Sequence, residues 1–79
     1  MTSVPRGVTA RQLIRALQAD GFALRRIRGS HHIYGQADGR RVVVAYHHAG
    51  DTFPIGTLRA MVADAGWGED DLRRLDLTD

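Results

Sequence analysis

Two turn signals, Gly29-Ser30 and Ala37-Asp38-Gly39, bracket the short segment 31–35 and dictate how the middle of this chain folds. Asp-Gly is a strong hairpin signal, because tight two-residue connections need left-handed backbone that these residues tolerate. Connections this short join antiparallel neighbours only. Residues 22–28 carry apolar side chains in a loosely alternating pattern and read as a strand. Residues 31–35 read as a second strand, and residues 41–46, rich in β-branched side chains, as a third. The expectation is an antiparallel meander whose central strand is 31–35, if order in the chain is order in space.

Helical signals flank this meander. Thr9 with Gln12 matches a capping box, and Leu13, Ile14 and Leu17 recur at helical spacing behind it. Gly21 after Asp20 is a C-terminal stop, so a first helix is predicted over residues 10–20. Residues 1–7, with Pro5 and Gly7, read as a loose lead-in. After a loop over residues 47–54, Pro54 opens a second helix whose apolar face is Leu58, Met61, Val62 and Ala65. Gly66 closes it, and Trp67 is placed for a contact back onto its last turn. Glu69-Asp70-Asp71-Leu72 starts a further short helical piece, acidic where the helix dipole favours acid. The fold class is therefore α+β, in the order α-β-β-β-α with a short C-terminal helix. Two helices cover one face of the sheet and the other face is left open.

The totals narrow the options. Seventy-nine residues make one domain over residues 1–79. A chain of this length buries about 60–65% of its unfolded surface, so its core must be economical. Without cysteine, disulfides, thiolate metal sites and a cysteine nucleophile are excluded. The longest apolar run, Val42-Val43-Val44-Ala45-Tyr46, is far too short to cross a bilayer. Residues 1–10 lack the apolar stretch of a secretory signal, so a soluble cytoplasmic protein with no membrane partner is expected. The net charge of +2 conceals an asymmetry. Residues 1–50 hold eight arginines against Asp20 and Asp38, whereas residues 51–79 hold three arginines against seven acids. A basic face for a polyanion and an acidic end directed elsewhere follow from that polarity.

The chemistry concentrates in Gly29-Ser30-His31-His32-Ile33-Tyr34, preceded by Arg25, Arg26 and Arg28 and followed by Arg40 and Arg41. Imidazole titrates near neutrality, and guanidinium matches phosphate in bidentate fashion. Adjacent strand residues point to opposite faces, so one of His31 and His32 at most reaches the open face. For the same reason neighbouring histidines do not converge on one metal ion, and no metal site is expected. Val42 and Val44 take the core side with Tyr46 following them, which leaves His47 on the open side with Val43. Whether His31 meets His47 depends on the strand register. Taken alone, His31 also fits a solvated turn; with few acids nearby to pair the arginines, a phosphate partner accounts better for the unpaired charge. Phe22 and Trp67 read as core.

These residues resemble the HicA family of toxins, small mRNA interferases. The matching pieces are Leu13-Ile14 with Leu17, Gly21-Phe22, Arg26, Gly29-Ser30-His31, Tyr34, Asp38-Gly39-Arg40, Val42 with Val44, His47, Gly56-Thr57-Leu58-Arg59 and Ala65-Gly66, in order over residues 10–72. Ala45 stands where the family often has proline. The resemblance implies a fold like the double-stranded-RNA-binding domain, ribonuclease activity on mRNA without a cofactor, block of translation and growth, and neutralisation by a HicB-type antitoxin covering the active site. The family's catalytic histidine falls on His31. Arg26, Arg28, Gly29, Ser30, Arg40, Arg41 and His47 are the residues expected to hold RNA phosphate around it. A non-catalytic RNA-binding module of the same fold is the alternative, and a partner-only role in a repressor complex is a third reading.

Overall fold

The first four backbone N–H groups of an α-helix have no partner within the helix, and here each of them finds one. In the computed structural model, which describes residues 4–78, helix α1 spans Ala10–Ala19. Ala10 and Arg11 donate to the carbonyls of Asp51 and Ala49 at 2.8 and 2.9 Å, and Leu13 donates to Thr9. Gln12 donates to the Thr9 hydroxyl at 3.2 Å while its own side chain accepts from the Thr9 N–H at 2.8 Å, the reciprocal capping box. The 47–54 loop is thus bound to the start of α1, and a bridge between Thr9 and Thr52 continues that contact. Of the lead-in, Val4 packs against the core; residues 1–3 lie outside the described residues.

Both long helices end alike. Gly21 takes a φ of 90° and Gly66 a φ of 75°, left-handed values that favour glycine. Phe22 then donates to Leu17, and Trp67 to Val62, in paired closures that turn the next side chain back over the helix. The two side chains so placed, Phe22 and Trp67, meet edge to face at 6.5 Å and are both buried. Helix α2 runs over Ile55–Ala65 with Pro54 as its cap rather than its first residue, and α3 over Glu69–Arg74.

The sheet comprises β1 (Ala23–Arg28), β2 (His31–Gly35) and β3 (Arg41–Ala45), antiparallel in the order β1-β2-β3. The histidine-bearing strand is therefore central. At the β1–β2 turn Gly29 has a φ of 60° at the first central position, as a type II′ hairpin requires. Tyr34, Val42 and Val44 face the helices and join Leu13, Leu17, Leu58 and Leu72 in one core. Tyr46 follows the two valines onto that side, and the opposite face carries no helix. The architecture is α+β as expected, with α3 adding Leu72 to the core. No helix among the described residues is long and apolar enough to cross a membrane.

Asp20, at the end of α1, ties three elements together. Its carboxylate accepts from the Trp67 indole N–H at 2.8 Å and from Arg74 at 3.0 Å, and Arg40 lies 3.4 Å away. Burial by itself pushes this carboxyl up, but the Trp67 and Arg74 hydrogen bonds and the charges of Arg74 and Arg40 outweigh it and hold it below its ordinary value.

Candidate active face

Strict alternation along β1 would send Leu24, Arg26 and Arg28 to one face. The strand departs from it: Leu24 pairs with Tyr34 but Arg26 pairs with Ile33, leaving Arg25 as the extra residue of a bulge. Beyond the bulge the faces are exchanged. Ile27 shares the helix side with His32, while Arg26 and Arg28 stand on the open face beside Ile33 and His31. Arg25 lies on the open face too, its Cγ and Nε passing within 3.1 Å of where a Cβ on Gly35 would sit. One inserted residue thus gathers three arginines of β1 on one side of the sheet. Arg25 is not among the binding residues expected from the sequence, although the three-residue spacing of Leu24 and Ile27, which regular alternation cannot put on one face, signals such an insertion.

His31 is exposed on the open face, between Arg28 on β1 and Ala45 on β3. The turn beside it is held from the other side. His32 Nδ1 lies 2.9 Å from the Ser30 carbonyl, which also accepts from the Tyr46 N–H at 3.0 Å. The His32 ring stacks on Tyr46, centroids 4.2 Å apart. The two adjacent histidines therefore divide: His31 is free toward solvent, and His32 fastens the hairpin. Among the described residues, no group of three histidine, aspartate or glutamate side chains is arranged to hold one ion.

At the far end of the same face lies a shallow groove of about 540 Å³ lined by Arg25, Arg26, Ile33, Gly35, Gln36 and Arg41, among others. Arg41 is exposed opposite Gly35. None of Arg25, Arg26, Arg28 and Arg41 has an acidic partner among the described residues.

Two of the residues expected to hold phosphate have other partners in the structure. Arg40 borders the groove, but its guanidinium is engaged elsewhere. It donates to Asp38 at 2.8 Å and to the Ala65 carbonyl at 2.6 Å, and it lies over the Phe22 ring at 5.1 Å. It fastens the β2–β3 hairpin to the ends of α1 and α2, and the free cation in this stretch is Arg41. His47 does not continue the alternation of β3, which ends at Ala45. The N–H groups of His47 and His48 both donate to Asp51 Oδ2, at 3.1 and 2.9 Å, bending the chain into the loop. Those two bonds, His48 foremost, hold the Asp51 carboxyl below its ordinary value against a smaller opposing effect of burial. No hydrogen bond or ring contact joins His47 to His31 among the described residues.

The molecule is thus a small basic α+β domain, its helices gathered on one face and a histidine set among unpaired arginines on the other. The chain belongs to the HicA toxin family: the family described as the HicA toxin of bacterial toxin-antitoxin matches residues 10–67, from the start of α1 through Trp67. It is accordingly a toxin of a toxin–antitoxin system, with an antitoxin as partner. A search of the curated proteins found no match.

Proposed function

We propose that this toxin is an endoribonuclease that cleaves mRNA on its open sheet face, using His31 as the proton-transferring group, and that a HicB-type antitoxin restrains it. The observation that carries the reading is the register of the central strand. It sets an exposed His31 directly across from Arg28, on a face whose arginines lack acidic partners among the described residues.

RNA brings its own nucleophile. The 2′-hydroxyl attacks the adjacent phosphorus, the P–O5′ bond breaks, and a proton leaves the 2′-oxygen while another reaches the departing 5′-oxygen. His31 serves one of these transfers, an action worth about 10²–10⁴-fold in rate. Arg28, its cross-strand neighbour, and Arg26 beside it balance the charge that grows on the phosphorane oxygens. Gly29 and Ser30 keep the turn slim enough for a phosphate to approach, and Gly29 supplies the left-handed backbone the turn needs. Arg28 is better placed than His47 to act alongside His31, because it shares the face and the register position.

The decisive variant is His31→Ala. Cleavage of an unstructured RNA should fall at least about 10²-fold. Folding, read by circular dichroism, should be unchanged, since the side chain is exposed. A purified His31→Ala protein that cleaves as well as the parent assigns the chemistry elsewhere. RNA binding without cleavage by the parent itself reduces the domain to a binding module.

A further inference from the structure

The groove at the far end of the open face has no part in the proton transfers assigned to His31. His31 and Gly35 are the two ends of β2, four residues apart, which at about 3.3 Å per residue is roughly 13 Å. At the Gly35 end, the polar side chains of Gln36 and Arg40 are already engaged, with the Asp20 carbonyl at 2.5 Å and with Asp38 and Ala65. Among the described residues, Arg25 and Arg41 are not. They flank Gly35, whose bare backbone forms the floor, and Arg25 Cγ and Nε lie 3.1 Å from where a Cβ at position 35 would sit, so a side chain there would require Arg25 to shift. Two unpaired guanidinium groups over a floor without side chain make a seat for a phosphate. Between this seat and His31 runs the cross-strand pair Ile33 and Val43, with Val43 38% exposed. Along β2 the open face thus presents His31 beside Arg28, then Ile33 between Arg26 on β1 and Val43 on β3, then Gly35 between Arg25 and Arg41.

We infer that Arg25 and Arg41 form a second phosphate subsite, which holds a single-stranded RNA several nucleotides from the bond under attack, with the intervening base faces against Ile33 and Val43. This rests on the ribonuclease reading above and adds the direction in which the strand lies, along β2, and its minimum length. At about 3.4 Å per stacked nucleotide, roughly 13 Å is spanned by about four stacked nucleotides, and by fewer in an extended strand. Affinity therefore rises with oligonucleotide length up to that span and then levels off.

The test compares a dinucleotide with a pentanucleotide of unstructured RNA, binding being read by fluorescence anisotropy on the His31→Ala chain so that the RNA stays intact. The length gain is the ratio of the two affinities, expected above about tenfold. In the His31→Ala chain also carrying Arg25→Gln and Arg41→Gln the gain should fall below about threefold. The slope of log affinity against log salt for the pentanucleotide should lessen by about 1.4, two contacts at about 0.7 each. Gly35→Leu, which fills the floor and removes no charge, should reduce the gain as well. All these positions lie on the sheet surface, and circular dichroism checks the fold. An unaltered length gain in the doubly substituted arginine chain overturns the subsite. So does an equal loss for both oligonucleotides, or a loss confined to an acidic peptide from the antitoxin. Cleavage by the parent chain is scored separately. If cleavage is absent while the length gain is present and arginine-dependent, the ribonuclease reading fails and the subsite stands. If cleavage is present without a length gain, the subsite fails and the ribonuclease reading stands.

Discussion

His31 and His32 are neighbours in sequence with opposite environments, and the difference is purely one of strand geometry. His31 points to the open face; His32 points to the helix side, where it stacks on Tyr46 and reaches the Ser30 carbonyl. The second histidine is accordingly a support for the turn that carries the first. Its hydrogen bond is worth about 1 kcal/mol and its ring contact about 0.5–1.5 kcal/mol. His32→Ala should therefore destabilise the fold by about 1–2 kcal/mol, since the Ser30 carbonyl keeps its Tyr46 partner. For a domain of this size that is a fall in melting temperature of roughly 4–16 °C. An unchanged melting temperature would show that the stack contributes nothing. Arg40 shows the converse. As a cation beside Arg41 it looks available in the sequence, but its partners Asp20 and Ala65 are 20 and 25 residues distant. No local pattern announces such a contact.

At the scale of elements, α1, α2 and the two hairpins were legible because their signals are short-range. The Thr9–Gln12 capping box, the glycine stops at 21 and 66, and the two turns each depend on residues within about five positions. The loop over residues 47–54 was legible too, but not the Asp51 side chain that closes the backbone at His47 and His48; the bulge at Arg25 left only the three-residue spacing of Leu24 and Ile27 as a sign, since its place is settled by what lies across from the strand. The helices are joined through carboxylates whose pKa is depressed. Asp20 is held by Trp67, Arg74 and Arg40, and Asp71 first by the Gly68 N–H and then by Arg74. Groups depressed in the folded state stabilise it above their unfolded value, near 3.8. That contribution is lost as pH falls through the lower folded values, because the unfolded chain takes up the protons first. Thermal stability should thus be level near neutrality and fall in acid below about pH 4. Asp20→Asn should be less stable at pH 7 and show a shallower acid decline. A variant with the parent's full acid dependence would show that Asp20 has no part in it.

Across the whole molecule, charge is sorted by face. In α3, Asp70 pairs with Arg73 and Asp71 with Arg74, and Arg74 also reaches Asp20. The arginines of the open face have no such partners among the described residues. On folding, the acids at the helix ends are thus drawn into ion pairs with Arg40, Arg73 and Arg74, while the arginines of β1 and Arg41 of β3 keep their charge unpaired among the described residues. An antitoxin that restrains the toxin by covering this face would need to present acidic groups to it. If Arg25, Arg26, Arg28 and Arg41 all contact phosphate, log affinity for single-stranded RNA should fall against log salt with a slope near −3, four contacts at about 0.7 each. A flat response would mean that the face does not bind a polyanion. Family membership establishes a toxin; the chemistry on the open face is read from its side chains. The most direct measurement of that chemistry is the identity of the ends left on a defined RNA cut by the purified protein in EDTA, with His31→Ala alongside. Attack by the 2′-hydroxyl predicts a 2′,3′-cyclic phosphate and a 5′-hydroxyl, both absent with the variant. A 5′-phosphate, loss of cleavage in EDTA, or the same products from His31→Ala would contradict it.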